Sequence, residues 1–119
     1  MKNLLTFISP SQKFNEETKI LVKIQIDNSL RLGWGKKDIM LVTNFKYSYN
    51  GVNSIVVPAD ECYCEFFPPA TKIFTIFYLL KQKYIEDEIY WYHDFDCYQL
   101  NLFTENNLSI QNHDFGLTK

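Results

Sequence analysis

No apolar stretch in this sequence is long enough to cross a bilayer. The longest, Ile73 to Leu80, is interrupted by Thr75 and falls well short of the roughly 18 to 20 residues a spanning helix needs. No transmembrane segment is therefore expected. The start, Met1-Lys2-Asn3-Leu4-Leu5-Thr6-Phe7-Ile8, has one basic residue and a short apolar patch, without the longer apolar region and small-residue cleavage site of a signal peptide. It reads as a buried first strand. An excess of one charge is also missing: 12 basic and 14 acidic side chains leave a formal charge of -2, so no broad nucleic-acid or anionic-membrane surface is expected and any phosphate binding must be local. Cysteine is sparse. Cys62, Cys64 and Cys97 are odd in number, and Cys-x-Cys lacks the second ligand pair of a structural zinc site, so they read as reduced thiols of a cytoplasmic protein. No internal repeat or low-complexity tract stands out.

What is present is enough for one core. With 119 residues, 46% apolar and 17% aromatic, the chain suits a single domain over 1–119 and not two. Leu4 to Ile8 is an apolar run ended by Ser9-Pro10-Ser11, the pattern of a strand entering a turn. Glu16 to Leu30 carries both an alternating pattern (Ile20, Val22, Ile24, Ile26) and a helical one (Ile20, Leu21, Ile24, Leu30). A helix is expected there, because Asn15 suits an N-cap, Glu16 and Glu17 oppose the helix dipole, and Gly33 and Gly35 lie beyond its end. Asp38 to Phe45 reads as a strand buried on both faces, with Asn44 at its end. Tyr47-Ser48-Tyr49-Asn50-Gly51 carries an Asn-Gly turn signal, and Ser54 to Pro58 a short β-branched strand stopped by proline. Pro68-Pro69 opens a helix over about Ala70 to Tyr84, with Ile73, Phe74, Phe77, Tyr78 and Leu80 as its apolar stripe and Lys81 on a basic edge. Ile89 to His93 is a further strand, and in the more polar tail from Leu102 onward Asp114-Phe115-Gly116-Leu117-Thr118 suits the start of another. The order β-α-β-β-α-β predicts an α/β fold with a mostly parallel sheet flanked by helices, in which ligands collect outside the carboxyl ends of the strands. Ser9, Asn44, Asp94 and Asp96 fall at such ends.

The segment richest in chemistry is Tyr90-Trp91-Tyr92-His93-Asp94-Phe95-Asp96-Cys97, an aromatic strand running into two carboxylates spaced i, i+2. In an extended chain alternate side chains share a face, about 6.5 to 7 Å apart, so Asp94 and Asp96 can converge on one hard cation such as Mg²⁺ or Mn²⁺. His93 points the other way in ideal pleating and reads as a packed strand residue. His113 is a candidate third ligand by folding back, although carboxylate and water usually suffice for these ions.

With its early strand ending Ser9-Pro10, its strand ending Val42-Thr43-Asn44-Phe45, its helix entered through Pro69-Ala70-Thr71-Lys72, and Asp94-Phe95-Asp96, the chain resembles the nucleotide-binding half of a GT-A type glycosyltransferase over roughly residues 3 to 118. The resemblance implies a Rossmann-like fold in which Asp94 and Asp96 hold Mn²⁺ or Mg²⁺ that bridges the diphosphate of a nucleotide sugar. It further implies that Ser9 with Pro10, and Asn44, face base and ribose, and that Lys72 near a helix start reaches phosphate. Members of that family usually continue beyond D-x-D with an acceptor-binding half, whereas 23 residues follow Asp96 here. The expectation is accordingly a donor-binding domain whose acceptor half comes from a second chain or a homo-oligomer partner. Two other readings stand beside it: a metal-dependent phosphoesterase or nuclease, which needs further ligands that the scattered Asp60, Glu61, Glu65 and Asp114 do not supply as a clear set; and a small structural or interaction protein whose tyrosines form an oligomer.

Overall fold

The computed structural model describes residues 1–107, so His113 and the segment Asp114-Phe115-Gly116-Leu117-Thr118 lie outside the described residues. Strand β1 (Lys2–Phe7) leads into helix α1 (Glu16–Leu32), and a 3-10 turn at Lys36–Asp38 delivers strand β2 (Ile39–Thr43). A small hairpin follows, β3 (Ser48–Tyr49) and β4 (Val52–Asn53), then β5 (Ile55–Val56), the short helix α2 (Ala59–Cys62), helix α3 (Thr71–Lys81) and strand β6 (Tyr90–Tyr92).

The ambiguous second segment is a helix because both its ends are chemically closed. Asn15 Oδ1 accepts from the Thr18 amide at 2.7 Å, and Gly33, at φ 105°, turns the chain left-handed so that its own amide reaches Leu30 O and that of Trp34 reaches Ser29 O. The Asn-Gly signal is also a real turn: Asn50 and Gly51 both have positive φ and join Tyr49 to Val52 in register. Helix α3 stops at Lys81, three residues before the sequence suggests. Lys83 adopts φ 58°, and the Tyr84 amide bonds back to Leu79 O.

All pairings in the main sheet are parallel, and the strand order is β5-β2-β1-β6. Adjacent residues of a strand face opposite ways, which divides the core into two layers. Leu5 of β1 and Leu41 of β2 pack with Val22 and Ile26 of α1, whereas Leu4 and Val42 pack with Cys62 of α2 and Leu79 of α3. The fold is thus a parallel α/β sheet with a helical layer on each face. Its chain path runs outward from β1 through β2 to β5, then returns across the sheet to lay β6 on the other side of β1. Because Tyr92 pairs at the level of Leu4, β1 continues past the end of β6 and leaves a step at the carboxyl edge.

One expectation about side chains is corrected. The stripe assigned to α3 faces water: Ile73, Phe74, Phe77 and Leu80 are exposed, while Thr75 and Leu79 are completely buried. Thr75 can sit inside because its hydroxyl donates back to Thr71 O at 2.7 Å.

Candidate functional site

The step between β1 and β6 forms the floor of a crevice of about 310 Å³. Thr6, Phe7 and Ile8 come from the end of β1, Tyr92 and Asp94 from the end of β6, and Pro68, Pro69, Thr71 and Lys72 from the start of α3. This is where the chain path reverses, the place where open parallel sheets have room for a ligand because the neighbouring connections leave in opposite directions.

Two of the residues singled out from the sequence meet there. Lys72 Nζ lies 3.6 Å from Asp94 Oδ2, and both side chains are about half exposed. An ion pair so open to water contributes little, about 0 to 1 kcal/mol, so a ligand can re-partner either group at small cost. Tyr92 donates its hydroxyl proton to Asp94 Oδ1 at 3.1 Å, and the Tyr92 hydroxyl oxygen lies 3.4 Å from Thr6 Oγ1. Burial, with the Asp94 charge adding to it against the Thr6 contact, pushes the Tyr92 phenol up to about 12, so it remains a donor at neutral pH. Helix α3 has no side-chain cap at its N-terminus, and its first residues line the crevice. The positive end of the helix dipole therefore stands beside the Lys72 ammonium, while the Thr71 amide already bonds Pro68 O in the 3-10 turn that leads into the helix.

Asp96 takes a different place from the one that extended geometry predicts. Beyond Tyr92 the chain leaves the strand and folds into a turn closed by the Cys97 amide on Asp94 O at 3.1 Å, with Phe95 tucked into the core. Asp96 is exposed in that turn, 3.9 Å from Cys97 Sγ, and does not line the crevice. Among the described residues no group of three or more His, Cys, Asp or Glu side chains could hold a metal. The oxygens that are present suit a hard ion, yet such an ion here would draw most of its ligands from water and from its phosphate partner.

Ser9, Pro10 and Asn44 do not reach the crevice lining. Asn44 is spent on structure: its Oδ1 accepts from the Ser9 amide at 2.9 Å and its Nδ2 donates to Ser9 O at 2.7 Å, tying the end of β2 to the chain leaving β1. Ser9 Oγ pairs with Ser11 Oγ at 2.8 Å, and Pro10 is exposed. Sequence reasoning did not single out Thr6, Thr71 or Tyr92 for the site. The signal for them is the strand order, which composition and periodicity do not disclose.

Behind the turn, His93 is buried as expected. Its Nε2 lies 3.0 Å from Asn3 Oδ1 and its Nδ1 3.1 Å from Asp94 O, and burial holds the imidazole below its ordinary value. Asn3 Nδ2 donates to Ser29 Oγ, which in turn donates to Gln25 O. A continuous polar chain thus runs from α1 through β1 to the residue before Asp94. Comparison with protein-family models, with curated proteins and with solved structures returns no match. The crevice is therefore read from its own chemistry.

Proposed function

We propose that the crevice binds the diphosphate of a nucleotide sugar, as the donor-binding part of a Rossmann-like, GT-A type glycosyltransferase. The observation that carries this reading is the meeting of Lys72, Asp94 and the uncapped start of α3 at the reversal point of a parallel sheet. A diphosphate supplies anionic oxygens for the Lys72 ammonium in place of its open pairing with Asp94, and a partner through which Asp94 can share a divalent cation.

In this reading the Asp94 carboxylate would hold Mg²⁺ or Mn²⁺, with most other ligands drawn from phosphate and water, and Asp96 would join it only if the adjacent turn moved toward the crevice. Such an ion, when bound, supplies charge neutralisation for the nucleoside diphosphate that departs as the sugar is transferred. Lys72 stabilises the same developing charge from the side of α3. Tyr92, kept protonated, holds the Asp94 carboxylate in place and contributes no proton at neutral pH. These residues account for donor binding alone, and the acceptor is met by residues beyond this crevice, in this chain, a second copy or a partner chain.

The test is thermal unfolding with Mn²⁺ and a panel of nucleoside diphosphates and their sugar conjugates. A ligand at about 100 times its Kd adds roughly 2.7 kcal/mol, several degrees of Tm for a domain of this size. The expected shift requires both the metal and Asp94, and is lost in Asp94→Asn. A shift of equal size in Asp94→Asn sinks the metal bridge, and the lack of any shift sinks the donor site. The exposed Ile73, Phe74 and Phe77 give the non-enzymatic reading its one favourable observation, since an apolar helix face suits protein contact. Self-association unaffected by metal or nucleotide is the result that would select it.

A further inference from the structure

We infer that the buried polar face of α1, led by Gln25, is a positioning device for the turn that presents Asp94 and Asp96. This rests on the reading of the crevice given above. Gln25 is 2% exposed, a location that disfavours an amide unless its polar atoms are satisfied. Its side-chain nitrogen donates to Phe95 O at 2.7 Å and to Cys97 O at 2.5 Å, so both N–H bonds of the amide are spent on the two carbonyls that bracket Asp96. One turn of helix further on, Asn28 donates to Gln99 O at 2.8 Å, while Ser29 reaches His93 through Asn3.

The anchors therefore fall on residues 93, 95, 97 and 99, every second position. The intervening Asp94 and Asp96 are left exposed on the outer side. A hydrophobic residue at position 25 would fill the same volume and preserve the helix, but would leave the two carbonyls unanswered and the turn free to shift. The placement of a binding carboxylate matters at the scale of about 0.5 Å, so a loosened turn weakens the ligand before it unfolds the domain.

Isothermal titration of Mn²⁺ with UDP, GDP, ADP or CDP into the wild type, Gln25→Met, Asn28→Ala and Val22→Ala separates these effects. Val22 is buried in the same helix, in the core cluster that includes Phe95, and offers the turn no hydrogen bond, so its truncation reports lost packing without lost donors. The expected result is a Kd raised at least tenfold by Gln25→Met and severalfold by Asn28→Ala, with Val22→Ala within twofold of wild type. Should Gln25→Met fail to fold, Asn28→Ala carries the test by itself. Unchanged affinity in the polar variants, or equal weakening in Val22→Ala, overturns the positioning role while leaving the site. Absence of binding in the wild type overturns the site reading and the inference with it.

Discussion

Helices α1 and α3 sit on opposite faces of one sheet, and both break the inside-outside rule, burying polar side chains and exposing apolar ones, to different ends. Helix α1 buries Gln25, Asn28 and Ser29 while Ile20 and Ile24 face water; α3 buries Thr75 and exposes Ile73, Phe74, Phe77 and Leu80. The difference lies in what each helix has to hold. Helix α1 covers a loop whose carbonyls need donors, and each of its buried polar side chains answers one or more polar partners. Helix α3 covers the other face mainly through Leu79, and its start delivers Thr71 and Lys72 to the crevice. Burial in this fold follows available partners as much as hydropathy.

The largest effect expected from this contrast is within α3 itself. Leu79→Ala removes a fully buried side chain and should cost about 2 to 5 kcal/mol in urea unfolding. Asn3→Leu comes next: it strips partners from Ser29 and His93 at a fully buried position, and a loss of about 1 to 3 kcal/mol is expected by the same measurement. Phe77→Ser, two residues before Leu79, should stay within about 0.5 kcal/mol of wild type and reduce any self-association seen by light scattering. A large loss from Phe77→Ser would mean that the exposed stripe is packed in solution.

A pH dependence also distinguishes the two faces. Cys62, on the α3 side, is pushed up to about 11 by burial first and the Glu61 charge second, from an ordinary value of 9.0. Its folded-state value is raised, so its contribution to stability is fully present below about pH 9 and is lost as pH rises toward about 11. Thiol labelling at pH 8 should therefore modify exposed Cys97 quickly and Cys62 only on unfolding. Rapid labelling of Cys62 would show that the α3 layer opens readily.

Much of this architecture is readable along the chain. The caps of α1, the Asn-Gly hairpin and the parallel sheet all follow from local residue chemistry, and so does the burial of His93. The exposed face of α3 does not, since an apolar stripe records only that a helix is amphipathic and not which side the sheet takes. Asp94-Phe95-Asp96 reads as the end of an extended strand, yet burial of Phe95 and the donors of Gln25 bend it into a turn. Asn44 looks like a strand-end ligand group until Ser9 is seen to occupy its whole amide. Lys72 and Asp94 are visible as candidates, but their meeting depends on strand order. That order is a long-range property.

The most direct measurement is backbone amide NMR of the isotope-labelled protein titrated with Mg²⁺ and a nucleoside diphosphate sugar. The account predicts shifts that saturate together at Thr6 to Ile8, Thr71, Lys72 and Tyr92 to Asp96, with the exposed face of α3 unmoved. Shifts centred on Ile73, Phe77 and Leu80, or none that saturate, would contradict it.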